Sequence, residues 1–355
     1  MHTRENFQNI MNYRPYQHVP VLHWSGWHET HERWHAEGLP RDTDVQKFFG
    51  TQPMWAGLWT NLGLMPGFEE KVFEETETYR IVRGGDGVVE HQWKGKSCIP
   101  HYVDFTLKTA KDWPEYKKRL QPDPARIPAD LDQKIAQAEA TGIPVFAATG
   151  SMMGWIRDWM GVEGMSYLMY DDRDCYADMV DTIARLVCWG LDQVLPRIKV
   201  DAGHGWEDIC GKSGPLVGTE IFRECVAPGY RKIRQKLDSY GVTLYGVDSD
   251  GDVSALARPW LEAGVNTLYP MEVGTWKADA NEYRRRYGRE MRLVGNFDKL
   301  ALERGQAAVE AEFRRLAPLM REGGFWMLPD HGITPGVSLA DYRAFLQKWG
   351  EMRFN

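Results

Sequence analysis

The sequence of 355 residues has little of what marks several classes of protein. Its five cysteines are odd in number, scattered, and contain no Cys-x-x-Cys pair, which indicates a reducing compartment rather than a disulfide framework. No apolar run approaches the length of a membrane span, and the first residues lack the apolar stretch of a signal peptide. We therefore predict a soluble, cytoplasmic protein without a membrane partner.

An excess of positive charge is also missing. The formal net charge is -7 at pH 7, and the isoelectric point is about 5.9. Such a chain lacks the basic surface with which proteins bind nucleic acids or anionic lipids. We predict a small molecule as its substrate and no nucleic-acid partner; an oligomer is compatible with the sequence.

Four stretches in the second half share one form, a short apolar run that ends in acidic side chains or histidine. They are Val242–Gly251, Val265–Glu272, Met291–Asp298 and Gly324–His331. Predicted helices separate them, and this βαβα rhythm is typical of a parallel sheet with polar residues at the carboxyl ends of its strands. In a (β/α)8 barrel that end holds the active site. The length allows two domains or one α/β barrel with insertions.

Asp248 and Asp250 form the most informative pair in these stretches. Side chains at positions i and i+2 of a strand point to the same side. Two carboxylates held together repel each other unless a cation, a proton or hydrogen-bond donors join them. The alternative is a plain turn, since Asp and Gly are ordinary turn residues.

Earlier segments extend the pattern. Val19–His23 predicts a first strand, and Ile143–Gly150 predicts a barrel strand. Residues 78–106 predict a small antiparallel β-meander, with a hairpin about the glycine-rich turn Gly84–Gly87.

Charged residues near other predicted strand ends are candidates for the site. Arg157 is placed to bind a substrate carboxylate, or to form a salt bridge with Asp158 or Glu163. Glu207 and Asp208 are adjacent, and only one of two adjacent strand residues can face the centre of a barrel. Lys212 lies in a Gly-Lys-Ser-Gly segment that lacks the earlier glycine required of a phosphate-binding loop.

Several short motifs follow one another along the second half. They are Glu207-Asp208, Lys212 with Gly214-Pro-Leu, Asp248-Ser-Asp-Gly251, Leu261-Glu-Ala-Gly-Val-Asn266, Pro270-Met-Glu272, Gly295-Asn-Phe-Asp-Lys299 and Asp330-His-Gly-Ile-Thr-Pro335. Together with the opening segment 19–40, they resemble the uroporphyrinogen decarboxylase superfamily, nearer to its methyltransferase-type and uncharacterised members. The resemblance implies one α/β domain over residues 1–355, a single (β/α)8 TIM barrel with an N-terminal extension and the β-meander insertion.

The resemblance implies less about the porphyrinogen reaction. Decarboxylase members hold an acidic tetrapyrrole with arginines in an Arg-Gln-Ala-Gly-Arg segment near the N-terminus. The corresponding position here reads His23-Trp-Ser-Gly-Trp27. A substrate with eight carboxylates needs a basic pocket, and this segment does not supply one.

Methyltransferase members of the superfamily carry zinc on a His-x-Cys pair and a later cysteine, often with a glutamate between them. The matching strand ends here carry Asp248-x-Asp250, Glu272 and His331. Carboxylates with one histidine suit zinc, manganese, iron or magnesium. The resemblance implies a divalent metal, with zinc favoured, and a corrinoid carried by a partner protein.

Three functions follow as hypotheses. The first is metal-assisted methyl transfer from a small molecule, the second is metal-free decarboxylation or lyase chemistry, and the third is a non-catalytic small-molecule-binding barrel. The predicted metal ligands are Asp248, Asp250, Glu272 and His331. The predicted catalytic residues are Asp250, His331 and Glu207, and the predicted substrate-binding residues are His23, Arg157, Lys212 and Asn296.

Overall fold

A computed structural model describes residues 3–95 and 99–353, so that Cys98 and the start of the predicted third meander strand at Ser97 lie outside the described residues. Within these ranges there are thirteen strands: β1 (Ala56–Leu58), β2 (Lys71–Glu75), β3 (Tyr79–Arg83), β4 (Val88–Trp93), β5 (His101–Phe105), β6 (Val145–Ala148), β7 (Ala202–Trp206), β8 (Cys210–Gly211), β9 (Gly214–Pro215), β10 (Leu244–Asp248), β11 (Thr267–Met271), β12 (Arg292–Phe297) and β13 (Phe325–Pro329).

The same ranges contain fourteen α-helices: α1 (Arg4–Met11), α2 (His28–Ala36), α3 (Val45–Phe49), α4 (Trp113–Lys117), α5 (Leu131–Thr141), α6 (Gly154–Asp171), α7 (Arg173–Val194), α8 (Thr219–Ile221), α9 (Ala227–Ser239), α10 (Ser254–Glu262), α11 (Val273–Trp276), α12 (Ala280–Tyr287), α13 (Gln306–Glu322) and α14 (Leu339–Glu351). No helix in the described part of the chain is long and apolar enough to cross a membrane.

Seven strands form the main sheet, and every pair in it is parallel. Their order is β1-β6-β7-β10-β11-β12-β13, which follows the order of the chain. Strands β11 and β13 are buried at every residue, as expected for a parallel sheet covered by helices on one face and filled by side chains on the other. The fold is therefore the predicted α/β class with a curled, TIM-barrel-like sheet.

The eighth position of the barrel differs from the prediction. Leu22 pairs with Gln52, and Gly26 pairs with Ile333, each through a single parallel bridge. The segment from Leu22 to Gly26 thus makes two isolated parallel bridges without becoming a regular strand. Pro20 has no backbone N–H to donate to a ladder, and the neighbouring Trp24 packs its side chain against Tyr269 and His331.

The N-terminal extension closes the amino-terminal end of the barrel. Phe7 of α1 inserts between rings of the sheet, with centroids 5.5 Å from Phe146 and 4.9 Å from Trp326. Arg4 forms a salt bridge of 2.7 Å with the buried Asp201. The helix is thus part of the core rather than an appendage.

A separate antiparallel sheet of four strands, in the order β2-β3-β4-β5, forms the insertion. The predicted hairpin is present as β3 and β4, with Tyr79 opposite Trp93. The meander begins earlier than predicted, because the charged sequence Lys-Val-Phe-Glu-Glu of β2 lacks the pattern of a half-buried strand. All five residues of β2 are exposed, so no apolar alternation marks it.

Candidate functional site

Three aspartates converge at the carboxyl ends of neighbouring strands β7 and β10. One carboxylate oxygen from each of Asp208, Asp248 and Asp250 lies within 4.8 Å of the others. The backbone N–H of Asp250 donates to Oδ1 of Asp208 at 3.0 Å, which ties the two strand ends together. We refer to these three residues as the aspartate cluster.

The electrostatics of the cluster are unfavourable for three free carboxylates. Burial raises the pKa of Asp248 well above its ordinary value, and Asp208, Asp250 and Glu272 raise it further. Burial also raises the pKa of Asp208. The Asp248 carboxylate accepts no hydrogen bond from any residue that the structure describes. A cation or a shared proton is needed to relieve this repulsion.

His331 extends the cluster on one side. Its Nε2 lies 3.3 Å from Oδ2 of Asp250, while its Nδ1 accepts a hydrogen bond of 2.7 Å from the N–H of Gly332. Because Nδ1 is an acceptor, the proton of the neutral ring is assigned to Nε2, where it faces Asp250. The hydrogen bond to Asp250 raises the pKa of His331 against the opposing effect of burial.

Glu272 is buried beside the cluster. Its Oε2 accepts a hydrogen bond of 2.8 Å from the N–H of Gly251, which fixes the turn after Asp250. Of the four predicted metal ligands, Asp248 and Asp250 belong to the cluster and His331 contacts it. Glu272 contributes its charge from the next strand end.

Glu207 does not face the cluster, in contrast to its predicted catalytic role. Its carboxylate is 1% exposed and accepts five hydrogen bonds. The donors are Ser151 Oγ at 2.9 Å, Met152 N at 2.6 Å, Met153 N and Gly154 N at 2.8 Å, and Tyr230 Oη at 2.5 Å. Glu207 therefore holds the N-terminus of α6 to the end of β7.

The acid that faces the cluster is Asp208, whereas the sequence analysis assigned a catalytic role to its neighbour Glu207. Alternation along a strand does not decide between the two acids, because β7 ends at Trp206. Asp208 has a left-handed backbone with φ 46°, and this turn directs its side chain to Asp250. A local dihedral angle of this kind has no signal in the sequence.

The two basic residues predicted to bind substrate, Arg157 and Lys212, have different surroundings. Arg157 forms a salt bridge of 2.8 Å with Asp158, donates to the carbonyl oxygen of Asp208, and lies over the Trp206 ring. This is the salt-bridge alternative rather than a free carboxylate receptor. Lys212 is exposed in the turn between β8 and β9.

Both the nitrogen and the oxygen of the Asn296 side-chain amide have hydrogen-bond partners. Its Nδ2 donates to the carbonyl oxygens of Met271 and Ala278, and its Oδ1 accepts from Ala280 N and Arg315. The side chain is fully buried. These contacts give Asn296 a structural part, and its role in substrate binding stays a prediction.

His23 also belongs to the core. It is 5% exposed, its Nδ1 is 2.8 Å from the hydroxyl of Tyr342, and its ring packs against Trp34 and Phe49. Burial lowers the pKa of His23 to about 4, and His31 adds to the effect. These contacts give His23 a place in the core, and its role in substrate binding stays a prediction.

The buried His23 predicts acid sensitivity of the fold. The unfolded chain takes up a proton at this residue below about pH 6.5, whereas the folded protein does so only near pH 4. Stability from this source is therefore complete above pH 6.5, and about 3 kcal/mol is lost as the pH falls to 4. Urea unfolding of His23→Phe should show a shallower loss across this window. Equal slopes for His23→Phe and wild type would contradict the assignment, and the exposed His28→Asn serves as the control.

The turn after the aspartate cluster predicts a sharp difference between two glycines. Gly251 has φ 83°, and a Cβ there would collide with the carbonyl of Cys210. Gly241 has φ 72° but open space around its Cα. We expect Gly251→Ala to lower the free energy of unfolding by about 3 kcal/mol or more, and Gly241→Ala by about 1–2 kcal/mol. Similar losses in chemical denaturation would show that the contact with Cys210 is easily relieved.

The aspartate cluster fits a hard divalent cation. Its donors are carboxylate oxygens, the ligands that magnesium, manganese and calcium prefer and that zinc also accepts. The uncompensated Asp248 carboxylate and the mutual repulsion are the structural reasons for this fit. His331 lies beside this group through its contact of 3.3 Å with Asp250.

The sheet is TIM-barrel-like, and the acidic side chains gather at the carboxyl ends of its parallel strands. Proteins of this fold carry their active sites at that end. The family model of uroporphyrinogen decarboxylase (URO-D) matches residues 102–351. The chain therefore belongs to the URO-D family.

Comparison with individual proteins adds a structural relative. A methyltransferase from Methanosarcina mazei is similar in structure, with a TM-score of 0.61 over 99% of this chain and 99% of that chain. The two sequences are 14% identical, so this likeness shows the fold. No match was found among curated proteins.

Proposed function

We propose that the protein is an enzyme that transfers a methyl group from a small molecule at the aspartate cluster. The observation that carries this proposal is the convergence of Asp208, Asp248 and Asp250, with His331 bonded to Asp250. Membership of the URO-D family and the methyltransferase neighbour support the reaction class.

Asp208, Asp248 and Asp250 would hold a divalent metal, for which we propose zinc. When bound, the metal would supply a Lewis acid that polarises the heteroatom to which the methyl group is attached. His331 carries a proton on Nε2 and would donate it to the heteroatom as the methyl group departs. Asp250 orients the His331 ring for this transfer.

The methyl acceptor would come from outside the chain. Among the cysteines that the structure describes, Cys210 is the nearest in sequence to Asp208, and burial raises the pKa of its thiol to about 12. A thiol with this pKa is a poor nucleophile at neutral pH. We therefore propose a reduced corrinoid on a partner protein as the acceptor.

Decarboxylation is the alternative reaction, and the Asp250–His331 pair supports it as an acid and base. The surrounding charges weigh against it. Arg157 is paired with Asp158, and Lys299 lies 3.4 Å from the buried Asp330. A carboxylated substrate would therefore meet an acidic site without an uncommitted cation at these two positions. A non-catalytic barrel is the third possibility, in which the cluster would serve binding alone.

The proposal predicts a negative result with uroporphyrinogen. Anaerobic incubation should give no partly decarboxylated porphyrinogens, because the aspartate cluster repels a polycarboxylate. Chromatography of the oxidised products is the measurement. Steady formation of products with fewer carboxyl groups would overturn methyl transfer in favour of decarboxylation.

Two further measurements test methyl transfer directly. Element analysis of protein purified without chelators should find about one divalent metal per chain, and less in Asp248→Asn. Reduced free corrinoid can then be offered with small methyl ethers and methylamines, and its methylation followed by absorbance. Metal-free protein together with no corrinoid methylation from any donor would reject the proposal.

A further inference from the structure

Aromatic rings line one side of the candidate site. The His331 ring stacks on Trp27, with centroids 5.8 Å apart and planes at 19°, and packs against Trp24 at 5.4 Å. Trp24 also contacts Tyr269 at 5.2 Å. We call Trp24, Trp27, Tyr269 and His331 the aromatic wall.

This wall is joined to the aspartate cluster and open to solvent. Tyr269 of β11 is paired with Asp248 of β10, and Ser249 N donates to Tyr269 O at 2.8 Å, which places this residue beside the carboxylates. Trp27 is 39% exposed, and the side chains of Asp250 and His331 are 37% and 28% exposed. A solute can therefore reach the wall and the carboxylates at the same point.

Carboxylates outnumber basic side chains at the site. Asp208, Asp248, Asp250 and Glu272 act on one another. A divalent metal would offset two of these four charges. The neighbouring Arg157 has its own carboxylate partner in Asp158. The site retains negative charge beside aromatic faces, the combination with which proteins bind organic cations.

We propose that the substrate of this site is a methylated ammonium cation. This inference rests on the proposed methyl transfer and names the donor. The cationic head would lie against Trp27 and Trp24, attracted by the ring faces and by the carboxylates behind them.

The reaction balances with such a donor. The bond between nitrogen and the methyl carbon breaks, and its electron pair stays on nitrogen, which leaves as a neutral amine. A reduced corrinoid, a two-electron nucleophile, supplies the electron pair of the new bond to carbon. A quaternary nitrogen has no lone pair, so it accepts neither the metal nor a proton, and it needs neither in order to leave. With this donor the proton transfer from His331 that a neutral heteroatom would require does not occur, and the carboxylates serve to bind the cation.

Binding of a cation can be measured without turnover. Choline and its uncharged isostere 3,3-dimethyl-1-butanol have the same shape, so titration calorimetry with each isolates the charge. We expect choline to bind roughly tenfold more tightly, and the difference to shrink in high salt. Equal affinity of the two compounds, or tighter binding of the alcohol, would overturn the proposal.

Three variants locate the binding. Trp27→Leu should lower choline affinity about fivefold to tenfold, and Trp27→Phe should lower it less because a ring is kept. Trp93→Leu, on the separate antiparallel sheet and 44% exposed, should have no effect. An unchanged affinity in Trp27→Leu would remove the aromatic wall from the site.

The outcomes separate this inference from the proposed function. Preferential binding of choline without any methyl transfer would uphold the cation site and reject the transferase. Methyl transfer from neutral ethers alone, with no preference for choline, would uphold the transferase and reject the cation.

Discussion

Asp248→Asn is expected to raise the melting temperature of the metal-free protein while lowering methyl transfer roughly a hundredfold or more. The substitution keeps the shape of the side chain and removes one of three carboxylates that lie within 4.8 Å of one another. Relief of this repulsion should add about 1–3 kcal/mol to the free energy of unfolding. The same change removes a proposed metal ligand, so activity should fall.

Melting scans with and without a chelator separate the two effects. Wild type should be stabilised by added zinc, because a ligand that binds only the folded state raises its stability. Asp248→Asn should gain little from zinc. Asp42→Asn, at an exposed turn, changes the net charge equally and should match wild type in both conditions. Unchanged melting and metal content in Asp248→Asn would mean that the residues form only a turn.

Glu207→Ala is expected to cause the largest loss of stability, about 3–5 kcal/mol. Its removal leaves five buried donors without an acceptor, three of them backbone N–H groups at the start of α6. Asp208 follows directly in the chain, so metal binding should weaken in any protein that remains folded. Chemical denaturation and element analysis measure the two effects.

Tyr230→Phe provides a milder test of the same carboxylate. It removes one hydroxyl donor 2.5 Å from Glu207 and leaves the backbone donors in place. The expected cost is about 1.5–3 kcal/mol, since the bond is made to a charged group. A Glu207→Ala protein no less stable than Tyr230→Phe would contradict the anchoring role of Glu207.

Much of the fold is legible in the sequence because apolar strands recur with helices between them. The ends of β10, β11 and β13 are marked by acids or histidine, and the parallel sheet follows from that rhythm. Strand β1 has only three residues, and β2 is exposed throughout, so neither has a periodic pattern to detect. The first strand predicted at Val19–His23 is not a regular strand, because the bridges at Leu22 and Gly26 depend on residues distant in the sequence, Gln52 and Ile333.

The candidate site was predictable to the extent that it lies on strand ends. Asp248, Asp250 and His331 come together because parallel strands end at one edge. The choice between Glu207 and Asp208 depends on one dihedral angle, and the burial of His23 and Asn296 depends on tertiary packing. The spacing of the tryptophans in the sequence has no period that would place them. The aromatic wall therefore could not be predicted from the sequence.

The single bridges at the eighth position have a thermodynamic consequence for the site. Trp27 N donates to Ile333 O at 3.2 Å, and Ile333 N donates to Ser25 O at 2.9 Å. By contrast, β12 and β13 are paired over a continuous ladder of residues. Segments with few backbone bonds open at lower free energy than core strands. A ligand held by Trp24 and Trp27, as proposed above, would favour the bridged arrangement by mass action. The proposed substrate binding and the pairing of Gly26 with Ile333 would then be one linked equilibrium.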